Sequence, residues 1–496
     1  MHLLTAPESL AAAAADLSRI GSRMEAACSA AAVGTSGLVA AAGDEVSAAI
    51  AEVFSAYGDQ YRSAARQAAE FHSGFTAALA EAAGNYVQAE SCNATLLIDA
   101  AQSVLGPRPP AAPTGTSGGG GGALSIAPSA LLANPVTALI MSGTSNPTPS
   151  LRYINEINTK YIQPSFAGAI PQGLTTPEQL WPLTPRIGDL TFNQSVAEGV
   201  TILDNAIRAE LLSGNDVVAF GFSQSASIVH NEIVNLMAAG APYPNDLAFM
   251  MIGSPNNPGG GILARFPGFY IPIMDVSFTG ATPANTPYPT TIYTAQYDGV
   301  AHVPQYPLNV LADINAMLGY FYVHNVYPTV TPAELANAVP LPTSPGYAGY
   351  TQYYMLLTQD LPLVQPIRDI PYVGQPLANL VQPSLRVLVD LGYADYGVGA
   401  NYADIPTPAG LLSVPNPLTV SYYLLKGAVQ GPYGAVVSIG EEAGFWGPQY
   451  YPDSYPWVPS VNPGLNVFIG QPQVTALSLL SGALGDALRI IPPIFN

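Results

Sequence analysis

The sequence predicts an α-helical hairpin joined by a flexible spacer to an α/β domain with a central, mainly parallel sheet. Three observations carry this. Residues 1 to about 95 place apolar side chains at steps of three and four, the helical period. Residues from about 104 to 133 contain Pro-Arg-Pro-Pro and the five glycines Gly118 to Gly122, a composition that gives a spacer and no packed element. From about residue 134 short apolar runs alternate with helical patterns, the texture of strands covered on both faces.

The hairpin opens with Thr5-x-x-Glu8, a capping box, and Pro7 falls in the first turn, where its missing N–H costs nothing. Leu10, Leu17, Ile20 and Met24 form a first stripe, which breaks at Gly34-Thr35-Ser36-Gly37 and again at Gly43. A second, cleaner stripe runs Val46, Ile50, Val53, Tyr57, Tyr61, Ala64, Ala68, Phe71, Phe75, Leu79. Two such helices are too thin to bury both stripes. Either the stripe packs on the following domain or it meets a helical partner protein, and the second reading is preferred. Cys28 and Cys92 would lie about 18 Å and about 75 Å from a turn near residue 40, so two free thiols are expected.

Beyond the spacer, Val136–Met141 reads as a strand ending at Gly143-Thr144-Ser145. Ser195–Leu212 reads as a helix with Val196, Val200, Leu203, Ile207 and Leu211 on one face. Asp216–Phe220, Leu247–Ile252 and Thr290–Ala295 are further strands. After about 330 the chain is rich in Pro and Tyr and shows few regular signals. The expected organisation is 1–95 hairpin, 96–133 linker, 134–400 α/β domain, and 401–496 an extension packed on that domain.

Composition narrows the function. Charged residues are 9% of the 496, against roughly 25% in an average soluble domain, and Pro and Gly number 48 and 47. That balance suggests an extracytoplasmic or envelope protein. The net charge of −19, from 14 Lys+Arg and 33 Asp+Glu, with no basic run, argues against nucleic acid and against docking on anionic lipid. No apolar run reaches the roughly 20 residues of a membrane span. Glu8 and Asp16 interrupt any signal-peptide core, so export would need another address. Two cysteines, and glycines without Gly-Lys-Ser/Thr, give no metal, nucleotide or flavin motif, and no cofactor is expected.

The segment with chemistry is Val217-Val218-Ala219-Phe220-Gly221-Phe222-Ser223-Gln224-Ser225-Ala226. A buried strand entering Gly-x-Ser-x-Ser and then a helix is the setting of a nucleophile elbow, and hence of an α/β-hydrolase. The turn forces its serine into a strained conformation, so small flanking residues are needed, and Ser225 stands where a second glycine is usual.

A serine hydroxyl needs a base and an acid to hold it. Of five histidines, His2 is terminal and His72 lies on the hairpin. His230 is seven residues down the helix from Ser223, about 10 Å away by helical rise. His302 and His324 remain. Asp298 follows the strand Thr290–Tyr297 and is the preferred acid, ahead of Asp275 and Asp313. His302 comes only four residues later, too soon for an intervening element. His324 follows a helix-like Leu308–Leu318 and a strand-like Tyr320–Val323, and is the preferred base. For the oxyanion, the N–H of Gln224 and a donor from Thr144 are expected.

Two resemblances join these readings. Pro7-Glu8, Ile20-Gly21-Ser22, Asp44-Glu45-Val46-Ser47 and Phe71-His72 together resemble the PE domain of mycobacterial proteins. Tyr86-x-x-x-Glu90 resembles the Tyr-x-x-x-Asp/Glu signal such proteins use for type VII secretion, and this implies a PPE-type partner, export through that machinery and a cell-wall or surface location. Gly221-Phe-Ser-Gln-Ser, Tyr297-Asp298-Gly299, Pro304-x-x-Pro307-Leu308-Asn309 and His324-Asn-Val-Tyr327 resemble the PE-PPE hydrolase domain, a cutinase-like serine esterase family. The resemblance puts that family's Ser, Asp and His on Ser223, Asp298 and His324, and makes His302 a departure where the family is usually acidic.

The expected function is hydrolysis of, or acyl transfer from, lipid-like carboxylic esters, with Tyr347, Tyr350, Tyr353, Tyr354 and Leu361–Leu363 walling an acyl site. The rival reading is a non-catalytic surface or antigenic protein on a hydrolase scaffold.

Overall fold

The computed structural model describes residues 134–491 apart from 185–188, 398 and 471, together with isolated positions between 15 and 77. The chain divides into two units, 1–119 and 120–496. The described positions of the first, among them Ser18, Ser22, Ala51 and Ala69, are helical. The hairpin stripes, both cysteines, the spacer, Tyr86 and Glu90 otherwise lie outside the described residues.

Among its described residues the second unit has nine strands: β1 (Val136–Ile140), β2 (Ile170–Gly173), β3 (Asp216–Phe222), β4 (Leu247–Ile252), β5 (Tyr270–Ile271), β6 (Val276–Ser277), β7 (Thr290–Ala295), β8 (Val339–Pro340) and β9 (Thr351–Leu356). Seven of them form one sheet in the order β2-β1-β3-β4-β7-β9-β8. Every pairing in it is parallel except β8 against β9, while β5 and β6 make a separate antiparallel hairpin. Its longer helices are α1 (Leu151–Ile157), α2 (Phe192–Leu212), α3 (Gln224–Ala238), α4 (Val310–Tyr322), α5 (Gly374–Asp390), α6 (Pro417–Glu442) and α7 (Ala476–Leu488). This is the expected α/β-hydrolase architecture.

The central strands are apolar along their whole length because both faces are covered. All seven residues of β3 and all six of β4 are buried. Alternation along a strand sends successive side chains to opposite faces. Leu139, Val217, Ala219, Phe249 and Met251 join Leu203 and Ile207 of α2 and Ile228 and Ile233 of α3 in one core. Ala138, Ile140, Val218, Phe220 and Met250 face the other core, with Ile154 and Ile157 of α1 and with Val323 and Tyr327.

Two expectations are overturned here. Tyr320–Val323 is not a strand: α4 continues through Tyr322, and Val323 caps it. Just before this stretch, Gly319 packs against Tyr297, where an added Cβ would clash with its carbonyl oxygen. The region after 330 is also more regular than it reads. β9 completes the sheet beside β7, and α5 and α6 form despite Pro383 and Pro432 in their interiors.

Residues beyond 400 reach into the domain. The buried Arg265 guanidinium donates to Val303 O at 3.1 Å and to both Thr407 O and Thr407 Oγ1. Asp390 of α5 accepts from Tyr297 OH at 2.6 Å and from Tyr455 OH at 3.1 Å. These contacts fix the turn that carries Asp298.

Candidate active site

The site is assembled at the carboxyl ends of β3 and β7. Ser223 sits between β3 and α3 with φ 57° and ψ −118°, a conformation that costs a non-glycine residue about 1–3 kcal/mol. The surroundings hold it there. Ser223 N–H donates to Ile252 O at 3.2 Å and Ala226 N–H to Ser223 O at 3.0 Å. A Cβ on Gly221 would lie 2.5 Å from Ser225 O, so only glycine fits. Ser225 is more than a small residue: its Oγ accepts from Phe222 N–H at 2.8 Å and lies 3.1 Å from Phe222 O, clasping the turn.

The structure brings Ser223, His324 and Asp298 together. His324 Nε2 is 2.8 Å from Ser223 Oγ, and Nδ1 is 2.8 Å and 3.0 Å from the two Asp298 oxygens. The imidazole lies between two rings, stacked on Phe222 at 5.2 Å and on Tyr320 at 5.8 Å. Asp298 is fully buried. Burial pushes its carboxyl up, but the His324 charge and hydrogen bonds from His324, Tyr327 and Val300 outweigh it, and the net direction is down. A buried carboxylate results, accepting from Val300 N–H at 2.7 Å and Tyr327 OH at 2.6 Å.

Tyr327 had no role in the sequence reading. Its hydroxyl accepts from Ala295 N–H at 2.8 Å while donating to Asp298, tying the carboxylate to the end of β7. The run His324-Asn-Val-Tyr327 is the signal, since it sets three positions apart the two side chains that meet one aspartate.

The other candidates lie elsewhere. His302 is buried, its Nδ1 accepts from Tyr297 N–H at 3.0 Å, and its ring stacks on Tyr393 at 4.9 Å. Burial, with Arg265 adding, pushes it down to about 3. His230 is buried beside Thr282 at 3.2 Å, and burial pushes it down to about 4. Asp275 pins the β5–β6 hairpin to the start of α2 through Thr191 at 2.8 Å and Asn193 at 2.9 Å. Asp313 is on α4, pushed up to about 6 by burial.

Gln224 opens α3, where the first N–H groups have no intrahelical partner. Thr144 stands next to it, but its hydroxyl donates to Gln224 Oε1 at 2.8 Å. Gln224 Nε2 in turn donates to Gln179 O at 2.8 Å and Ser195 Oγ at 2.9 Å. The Thr144 hydroxyl is thus committed to holding the Gln224 side chain, leaving the Thr144 backbone as the donor it can offer. Gly143 packs closely here, since an added Cβ would lie 3.1 Å from Ser223 Cβ and 3.2 Å from the Phe222 ring. Beneath this loop, Glu178 O accepts from Ser145 N–H at 2.8 Å. The Glu178 side chain is buried, accepts from Thr176 at 2.7 Å and is pushed up to about 8 by burial.

Ser223, Gln224, His324 and Thr144 line a cavity of about 560 Å³. Its apolar wall includes Leu180, Phe192, Ile262, Leu263, Met274 and Phe278. Tyr347, Tyr350, Tyr353, Tyr354 and Leu361–Leu363 do not line it, which corrects the expected acyl wall. Tyr353 and Tyr354 belong to β9, while Leu361 packs with Val364 and α5 residues. Among the described residues no cluster of three His, Cys, Asp or Glu side chains converges on one point, and no helix is long and apolar enough to cross a membrane.

Residues 167–394 match the PE-PPE domain and residues 3–93 match the PE family. PE family protein PE3 of Mycobacterium tuberculosis is 52% identical over 99% of this chain and 99% of its own length. Esterase PE16 of the same species is 44% identical over 87% of this chain and 76% of its own. SL1278 acyltransferase Chp1, also from M. tuberculosis, is 31% identical over 53% of this chain and 65% of its own. With a full-length PE relative, a matching N-terminal segment and a PE-PPE domain around the site, this chain belongs to the PE family.

Proposed function

We propose that this chain is a serine hydrolase of carboxylic esters with apolar acyl groups, acting through an acyl-enzyme on Ser223. The observation that carries the reading is the Ser223–His324–Asp298 chain of 2.8 Å hydrogen bonds opening into a 560 Å³ apolar cavity. Its volume lies in the roughly 300–1,000 Å³ range of small-molecule sites.

In this mechanism Ser223 Oγ attacks the ester carbonyl as His324 Nε2 takes its proton. Asp298 holds Nδ1–H and stabilises the imidazolium; its buried carboxylate is already ionised and stays so. The carbonyl oxygen turns into an oxyanion facing the Gln224 N–H, the positive end of α3 and the Thr144 backbone. His324 then protonates the leaving alcohol, and water resolves the acyl-enzyme by the same route in reverse. The apolar wall from Leu180 to Phe278 takes the acyl chain, since burying it removes hydrocarbon from water.

A second reading, acyl transfer, is favoured by the likeness to an acyltransferase. The acyl-enzyme is common to both, and the acceptor decides. Product analysis with a lipid ester library, with and without a trehalose acceptor, separates them. Free fatty acid in both arms supports hydrolysis, acylated sugar supports transfer, and no turnover of any ester contradicts both.

The N-terminal segment is proposed as the export module, docking a PPE-type helical protein and using Tyr86 and Glu90 as its type VII signal. PE membership supports this. Tyr86→Ala and Glu90→Ala should hold the chain inside the cell while the purified variants keep their esterase activity; normal export of both would contradict it.

A further inference from the structure

The cavity opens next to a helix face that is apolar and in water. On α4, Val310, Ile314, Met317 and Phe321 are 64%, 37%, 59% and 65% exposed. Their spacing of four, three and four residues puts them on one stripe. The helix carries a single charged residue, Asp313, whose carboxyl burial pushes up to about 6, and it carries no lysine or arginine. Tyr320 of the same helix is 48% exposed, lines the cavity and stacks on His324, so stripe and active site are continuous. Other parts of the cavity lining show the same feature. Leu183 lines it and is 66% exposed, and Ile273, which does not line it but lies in the β5–β6 turn between the lining residues Ile271 and Met274, is 52% exposed.

Exposed side chains of this size, lying along a helix whose Tyr320 lines the cavity, mark an interaction surface more often than chance exposure does. The chemistry at the mouth selects the occupant. An ester whose acyl chain fills the cavity partitions into aggregates, and it must leave them to reach Ser223. A mouth with apolar walls and no charge, laid on the aggregate, lets the chain slide in without crossing water. A polybasic patch would suit an anionic surface, but the chain has a net charge of −19 and this helix has no cation.

We propose that the α4 stripe, with Leu183 and Ile273, docks the enzyme on the surface of an uncharged lipid aggregate, delivering acyl esters directly into the cavity. The proposal rests on the ester reading above for its purpose, while the docking itself is read without catalysis.

The test uses the full chain with Ser223→Ala, with and without Val310→Gln, Met317→Gln and Phe321→Gln together, and measures partition onto phosphatidylcholine vesicles. The triple change should lower partition by about a hundredfold. Mixing anionic phosphatidylglycerol into the vesicles should weaken binding of the parent. In the Ser223 background, the triple variant should hydrolyse a dissolved short-chain ester within about twofold of the parent. Should the triple variant not fold, Met317→Glu alone gives the same comparison with a smaller drop. Equal partition of both chains would overturn the surface. So would a dimer that the triple change dissolves, with no vesicle binding by either chain. No hydrolysis of the dissolved ester by the parent would instead overturn the ester reading, leaving the partition result to judge the surface separately.

Discussion

Two histidine corners flank Asp298, and they use one side chain in opposite ways. At the end of α4, His324 presents Nδ1 to Asp298 and Nε2 to Ser223, with its edge on the cavity. In the turn after β7, His302 accepts from Tyr297 N–H, lies flat on Tyr393, and is pushed down to about 3 by burial and by Arg265. The first is poised between two partners that differ in charge. The second is locked neutral by the same environment that buries it. The difference shows that nearness in sequence to the acid does not make a base; a ring with one nitrogen on the acid and the other on the nucleophile does.

The largest expected effect separates the corners outright. His324→Ala or Ser223→Ala should lower kcat by about 10⁴–10⁶, as removal of one member of a unit does. His302→Ala should leave kcat within about tenfold, though it opens a cavity against Tyr393 and should lower Tm. A large loss of kcat with His302→Ala and little with His324→Ala would exchange the roles.

Next comes the acid that both corners adjoin. Asp298→Asn should cost about 10⁴ in kcat by favouring the wrong His324 tautomer. Tyr327→Phe, which removes one donor to that carboxylate, should cost about tenfold. Steady-state kinetics on one dissolved ester ranks all of these, and equal losses for Asp298→Asn and Tyr327→Phe would break the proposed order.

A pH experiment compares the locked kind of buried acid with Asp298. Glu178 is pushed up from 4.5 to about 8 by burial. The folded state therefore binds more protons than the unfolded one across that window, and stability falls as pH rises through it. The cost by pH 8 is about 4 kcal/mol. Thermal melts between pH 5 and pH 8 should show Glu178→Gln losing less Tm than the parent. Parallel curves would mean that Glu178 is ionised in the fold.

The smallest effect concerns the elbow. Ser225→Ala removes the clasp on Phe222 and should cost about 1 kcal/mol of stability, with kcat changed less than fivefold, by urea titration and kinetics. A larger kcat loss would give Ser225 a part in holding Ser223 that the hydrogen bonds alone do not explain.

The elbow was legible because its causes are local: an apolar strand, two small residues and a helix start within ten residues. His324 was placed by chain order, yet for a partly wrong reason, since Tyr320–Tyr322 are the last turn of α4 and Val323 is its cap, and β propensity alone does not decide so short a run. β9 was invisible as a sheet member, because its partner β7 lies 61 residues earlier in register, Thr290 beside Thr351. The helices α5 and α6 hide behind internal prolines and glycines whose cost only packing offsets. The acyl wall was misplaced for the same reason. Leu180, Met274 and Phe278 come from irregular loops that carry no period, so nothing in the sequence gathers them.

The central claim is that Ser223 is a nucleophile activated by His324. The direct measurement is labelling of the folded full-length chain by a fluorophosphonate, with the adduct located by peptide mass spectrometry. One adduct should form, on Ser223, and its rate should fall with His324→Ala but not with His302→Ala. A folded chain that takes no label, or takes it on another serine, would contradict the account.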